Sequence, residues 1–174
     1  ATGAVGNEIL QILEQRDFPI ANLYLLASSK SKGKKVLFKD KEIIVEDLSE
    51  FDFSKSQIAL FSPGGKVSAE YAPKAAAAGC IVIDNTSFFR MQNDIPLIVP
   101  EVNAEELENF FQNEQRRNII SNPNCSTIQM VVALKPLHDE AIINRVVVST
   151  YQAVSGAGKT AMDELFNQTQ NIYS

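Results

Sequence analysis

Two cysteines and a single histidine are the only thiol and imidazole groups in this 174-residue chain. Neither Cys80 nor Cys125 lies in a CxxC or Cys/His ligand spacing, so a zinc site is not expected and no metal is assigned. Two cysteines in a chain of this size are not a disulfide framework, which favours a reducing, cytoplasmic setting. No apolar run approaches the roughly 20 residues that span a bilayer, so no membrane partner is expected. A sustained basic stripe is also missing, and the net charge is −5. Both features argue against nucleic acid as the main partner. No secretory signal is visible, and position 1 is not Met. The glycine turn at the start has no strand before it, so the sequence reads as a fragment or a piece of a longer chain.

What remains is ordinary globular material, 45% hydrophobic and 21% charged, enough for one core or one domain plus part of another. Apolar runs alternate with amphipathic segments. GNEILQILEQR (6–16) reads as a helix with Ile9, Leu10, Ile12 and Leu13 on its inner face. LYLLAS (23–28), the pieces KVLF and EIIVEDL within 35–48, IALFS (58–62), CIVID (80–84), PLIVPEV (96–102), NIIS (118–121) and INRVVVSTYQAV (143–154) read as strands. Helices are predicted over 67–79, where Pro73 counts against the assignment or marks a kink and Gly79 suits a C-cap, over 103–112, from Cys125 to near Leu137, and over 159–172. Strands alternating with helices imply an α/β fold with a mainly parallel sheet.

Several strand ends carry chemistry-bearing residues. Gly3 and Gly6 precede a helix as in the end of a dinucleotide fingerprint, where glycine lets the backbone approach a pyrophosphate. An ordinary glycine turn fits equally well. The next strand should end on an acidic residue if the ligand were NAD. It ends instead on Ser28, Ser29, Lys30 and Ser31, a hydroxyl- and cation-rich loop suited to a ribose 2′-phosphate, although a solvated charged loop has the same composition. Pro63-Gly64-Gly65 follows IALFS, and Asn85 to Arg90 follow CIVID. Such strand ends are where open α/β sheets hold ligands, and arginine's planar fork suits phosphate, although Pro63-Gly64-Gly65 also fits a plain turn and Arg90 by itself reads more readily as a surface residue than as a ligand.

In SNPNCSTIQ (121–129), Asn124 and Ser126 flank Cys125 where a loop becomes a helix. A helix start favours negative charge, hence the reactive thiolate, although Cys125 could equally be a buried small hydrophobe; Cys80 in a buried strand reads as inert core. His138 lies 13 residues further on, roughly 20 Å along one helix, too far to serve Cys125 as a base. In YQAVSGAG (151–158), Gln152 and the small-residue loop offer an amide and backbone N–H groups to an oxygen gaining charge, or form a plain connection.

Together ATGAVGNE, LASSKSKGK, FSPGG, IDNTSFFR, PLIVPEVN, SNPNCSTIQ, LKPLHD and YQAVSGAG resemble, in order, the aspartate-β-semialdehyde dehydrogenase family. The resemblance implies a Rossmann-like domain over 1–122, its first strand missing and helices on both faces of the sheet. The start of an α+β catalytic and dimerisation domain would follow over 123–174. It implies Cys125 as nucleophile, Gln152 as a catalytic residue positioning substrate, and Arg90 with Asn124 as phosphate and substrate ligands. NADP would be held by Thr2, Gly3, Ala4, Val5, Gly6, Ser28, Ser29, Lys30, Ser31, Ser62, Gly64, Asn85, Ser155, Gly156 and Gly158. The implied reaction is the reversible, NADP-dependent reductive dephosphorylation of β-aspartyl phosphate to aspartate semialdehyde through a cysteine thioester. Its place would be lysine, threonine and methionine biosynthesis, including the diaminopimelate route, in a cytoplasmic homodimer. Lys30 stands where the family commonly has Arg, and Pro63 where a small residue is common. The family's catalytic histidine and substrate arginine lie downstream of Ser174, so this stretch alone is expected to be inactive. The alternatives are an N-acetyl-glutamyl-phosphate reductase, disfavoured by Asn124 where that family usually has Gly, and a nucleotide-binding module with a structural or redox-sensing cysteine.

Overall fold

The computed structural model describes residues 2–173, and the side chain of Tyr173 is not described. Ala1, which opens the ATGAVG turn, and Ser174, after which the last helix stops, lie outside the described residues. In chain order the elements are α1 (Ala4–Gln15), β1 (Leu25–Ala27), β2 (Lys35–Phe38), β3 (Lys41–Asp47), β4 (Ile58–Phe61), α2 (Gly65–Ala77), β5 (Ile81–Asp84), α3 (Pro100–Asn103), α4 (Glu106–Gln112), β6 (Ile119–Ser121), α5 (Cys125–Glu140) and α6 (Lys159–Tyr173). The chain forms two compact units, one from Ala1–Phe51 with Ser149–Ser174, the other from Asp52–Val148.

In the first unit β3 is central, parallel to β1 and antiparallel to β2. Leu10 of α1 packs with Leu25, Phe38 and Val45 in a core that Leu13, Ile20 and Val36 extend. Lys39 and Asp40 join β2 to β3 with φ of 45° and 61°. Two left-handed residues make the type I′ turn, whose twist matches a two-residue hairpin. The Lys39 ammonium also meets Asp17 at 2.5 Å, so an exposed ion pair accompanies the turn.

In the second unit β4, β5 and β6 are all parallel, in that order. Strand β5 pairs on both edges, and its Val82 is wholly buried. Helix α2 lays Ala72, Ala75 and Ala76 inward, small residues that allow a helix close to a sheet. It runs through Pro73 and ends as expected at Gly79. There the Cys80 N–H bonds Ala75 O and the Gly79 N–H bonds Ala76 O, both at 3.1 Å, a Schellman closure with glycine left-handed. Helix α5 likewise runs through Pro136 and ends at Glu140, beyond the expected Leu137.

Two expected strands are absent. The segment 96–102 makes only a bridge between Leu97 and Ser121 before turning into α3. Pro96 and Pro100 have no N–H to extend a ladder, and Pro100 occupies the first helical turn, where proline is well suited. The segment 143–154 forms no strand: it has no ladder partner among the described residues, Val154 opens a 3-10 turn, and Val146, Val147, Val148 and Tyr151 are exposed. Its β-branched residues favour extension, but a strand is defined by the neighbour it pairs with.

Candidate active site

The second unit gathers three strand ends at the carboxyl edge of its parallel sheet. After β4 come Ser62, Pro63 and Gly64. Gly64 caps α2 with φ 93° and ψ 152°, a conformation open essentially to glycine alone. After β5 comes the loop 85–90, tied to β4 by the Asn85 N–H on Phe61 O at 2.8 Å. After β6 comes Asn122, whose N–H donates to Asp84 O at 2.9 Å. Wholly buried Phe89 anchors the middle loop next to Arg90.

Arg90 is half-buried and joins two of these ends. Its Nε donates to Asn122 O at 2.8 Å and its Nη2 to Asn85 O at 3.0 Å. These bonds use two of the five guanidinium hydrogens and leave Nη1 for an oxyanion. Asn85, Asn122 and Arg90 are thus brought together.

Asn124 is the N-cap of α5, its Oδ1 accepting from the Thr127 N–H at 2.9 Å. Cys125 is therefore the first helical residue, and its thiol is exposed. Cys80 is the opposite case. It is buried, its S–H lies 2.9 Å from Ser56 O and 3.1 Å from Phe53 O, and burial pushes its thiol pKa up. His138 sits exposed in the last turn of α5 and accepts from the Ile143 N–H at 3.2 Å, at the far end of the helix from Cys125.

Asp84 did not enter the sequence-based set of candidates. Its carboxyl group is completely buried at the end of β5 and accepts from the Ser68 hydroxyl and from the Thr86 N–H. Acidic residues are seldom buried, but a sequence does not state which Asp will be.

The first unit holds the other candidates. Gly3 is the N-cap of α1, and Ala4, Val5 and Gly6 form its first turn, with Thr2 just before. The first intrahelical bond is the Asn7 N–H on Gly3 O, so the preceding N–H groups have no partner in the helix. Ser28 caps a single 3-10 turn, Ser29–Ser31. Lys32 is held by Glu50 at 2.5 Å, whereas Lys30 makes no ion pair among the described residues. No acidic side chain ends β1. These features fit a nicotinamide dinucleotide bearing a 2′-phosphate: N–H groups without a helical partner for the pyrophosphate, and hydroxyls with a cation that makes no ion pair among the described residues for the additional phosphate.

The loop Val154–Ala157 is another 3-10 turn, ending on Gly158 at φ 90° and ψ −177°. A Cβ added to Gly156 would lie 1.9 Å from Gln152 Nε2. The amide of Gln152 thus rests over Gly156, with Ser155 accepting from the Gly158 N–H at 3.0 Å. No helix among the described residues is long and apolar enough to cross a membrane.

Residues 1–110 match the family model described as semialdehyde dehydrogenase, NAD binding domain, and residues 134–173 match semialdehyde dehydrogenase, dimerisation domain. An aspartate-semialdehyde dehydrogenase of Legionella pneumophila is 59% identical over 172 residues, 99% of this chain and 48% of that protein. The crystal structure of aspartate semialdehyde dehydrogenase II from Vibrio cholerae, complexed with ASA, superposes with a TM-score of 0.92 at 55% identity, covering 99% of this chain and 50% of that one. An aspartate semialdehyde dehydrogenase with NADP from Candida albicans is 26% identical with a TM-score of 0.65, over 82% of this chain and 46% of that one. The chain spans about half the length of the curated relatives it matches.

Proposed function

The chain belongs to the semialdehyde dehydrogenase family, and from that membership we propose that the protein carrying it is an NADP-dependent, phosphorylating aspartate-semialdehyde dehydrogenase. The observation that carries this reading is the placement of Cys125 as the first residue of a capped helix, at the sheet edge where Arg90 joins two strand ends.

In the phosphorylating direction the Cys125 thiolate attacks the aldehyde carbon of aspartate semialdehyde and forms a C–S bond, giving a thiohemiacetal. NADP, which residues 2–6 and Ser28 to Ser31 would help to hold, would supply the two-electron acceptor for the hydrogen on that carbon. The product on Cys125 is a thioester. Inorganic phosphate then attacks the thioester carbonyl, the C–S bond breaks, and the thiolate leaves with its electron pair as β-aspartyl phosphate forms. Covalent catalysis divides one hard displacement into two easier ones. The start of α5 favours negative charge on sulfur before attack and after departure. Arg90, through Nη1, balances the charge of the entering phosphate, and Asn124 lines the same end of the helix. Gln152 orients the substrate. The family resemblance assigns residues 2–6, Ser28 to Ser31, Ser62, Gly64, Asn85, Ser155, Gly156 and Gly158 to cofactor binding.

A functional boundary near residues 122 and 123, a homodimer and a cytoplasmic site in lysine, threonine and methionine biosynthesis complete the proposal. The match to a dimerisation domain supports the homodimer. The relatives' names favour this enzyme over an acetylglutamyl-phosphate reductase. The test is NADPH formation from aspartate semialdehyde by the chain extended to the length of its relatives. Turnover should require inorganic phosphate and Cys125. Turnover that ignores phosphate, or survives Cys125→Ala within tenfold, overturns the assignment.

A further inference from the structure

The two carbonyls that hold Arg90 are both organised by one buried residue. Asp84 Oδ1 accepts from the Thr86 N–H at 2.5 Å. That N–H belongs to the same peptide plane as Asn85 O, which accepts from Arg90 Nη2. The N–H and C=O of a trans peptide point in opposite directions, so fixing one aims the other. Arg90's second acceptor, Asn122 O, belongs to the residue whose N–H donates to Asp84's own carbonyl at 2.9 Å. On its other side, Asp84 Oδ2 receives the hydroxyl of Ser68, a fully buried residue in the first turns of α2. No cation pairs with Asp84 among the described residues. A buried carboxyl group is costly unless its oxygens are satisfied, and here the donors it uses are those that shape the strand-end loop.

We propose that Asp84 is a positioning residue for Arg90: its buried carboxyl group joins α2 to the loop 85–90 and thereby fixes the guanidinium where phosphate enters. Asp84 touches neither substrate nor cofactor and acts through the Asn85–Thr86 peptide plane. This rests on the reading above that Arg90 binds phosphate.

The test uses the chain extended to the length of its relatives and reads KM for inorganic phosphate, aldehyde and NADP separately. A purely structural role would shrink the folded fraction, which lowers apparent kcat and leaves every KM unchanged. Asp84→Ala should instead raise phosphate KM about tenfold, within the range a small misplacement produces, with KM for NADP within about twofold. Asp84→Asn keeps an acceptor for Thr86 and should largely restore phosphate KM. In an Arg90→Leu background, Asp84→Ala should add nothing further to phosphate KM, because residues acting through one group are not additive. Should Asp84→Ala fail to fold, Ser68→Ala carries the test, with a phosphate KM raised about threefold. An unchanged phosphate KM in the variant that folds, or full additivity with Arg90→Leu, overturns the inference. Absence of phosphate-dependent turnover in the unsubstituted protein overturns the underlying reading, and the inference with it.

Discussion

Asn124 Oδ1 accepts the backbone N–H of Thr127 at 2.9 Å, and its carbonyl accepts the Ile128 N–H at 3.0 Å, so Asn124 caps α5 immediately before Cys125. An N-cap side chain satisfies one of the donors a helix start leaves open, and replacing it by alanine typically costs about 1 kcal/mol. Asn124→Ala should therefore lower stability by about that amount. It should depress activity more than the stability loss explains, because the first turn that carries the thiol would fray. Asn124→Asp and Asn124→Ser should keep the cap. Denaturant unfolding and kcat/KM, measured on the same samples, check both. Equal stability in Asn124→Ala and the unsubstituted protein would remove the cap from the account.

The two thiols should separate cleanly in reactivity. Cys125 is exposed, whereas Cys80 is enclosed and its thiol is pushed above the ordinary value of 9.0. The thiolate is the alkylated form, so iodoacetamide at neutral pH should modify Cys125 and spare Cys80 until the protein unfolds. Linkage gives a second expectation. A thiol pKa raised by folding means that the unfolded chain releases its proton first, so stability falls as pH rises through and above 9.0. Cys80→Ala should flatten that alkaline decline. Peptide mapping of the alkylated protein and unfolding curves at several alkaline pH values report the two effects.

Much of this was legible in residues. Gly79, the helix after Cys125 and the parallel β4–β5–β6 strands follow from local pattern, because turn chemistry and apolar runs act at short range. Two strands failed for a different reason. The residues 96–102 and 143–154 have the composition of strands, but pairing is a property of a partner, which composition does not contain. The site divides in the same way. Cys125 and Asn124 stand out as residue types at a helix start, whereas Arg90 enters through the family resemblance, since alone it reads as a surface residue. That two backbone carbonyls hold Arg90, and that Asp84 aims them, depends on folding that brings residues 68, 84–86, 90 and 122 together.

Among the lysines near β1, Lys30 should matter to cofactor binding and Lys32 should matter less. Lys32 is engaged by Glu50 at 2.5 Å, while Lys30, within the Ser29–Ser31 turn, makes no ion pair among the described residues. Lys30→Glu should weaken NADP binding about tenfold or more and NAD binding little, since only the 2′-phosphate distinguishes them. The difference should shrink at high salt, because an exposed phosphate contact is screened over roughly 10 Å at 0.1 M ionic strength. Lys32→Met should change NADP affinity by less than about threefold, as exposed ion pairs contribute little. Calorimetric titration of both dinucleotides at two ionic strengths gives the comparison. A larger loss at Lys32 than at Lys30 would reverse the assignment.

Gly156 should be required for the orientation of Gln152 rather than for the stability of the loop. A methyl group at position 156 would sit 1.9 Å from Gln152 Nε2 and 3.0 Å from its Cδ. Both atoms belong to the far end of a flexible side chain, so the amide would rotate away while the backbone stays. The strain is accordingly small, unlike at Gly158, whose φ of 90° any side chain would oppose. Gly156→Ala should then imitate a truncation of Gln152, lowering kcat/KM for aspartate semialdehyde about tenfold or more, with a melting temperature within a few degrees of the original. Gln152→Ala should lower kcat/KM similarly, and the double variant should be no worse than either, because both remove the same oriented amide. Gly158→Ala should do the reverse, losing about 1–3 kcal/mol of local stability through backbone strain. Steady-state kinetics beside thermal unfolding for the four variants separates the two glycines. If Gly156→Ala kept full kcat/KM, the resting place of the Gln152 amide over Gly156 would have no bearing on turnover.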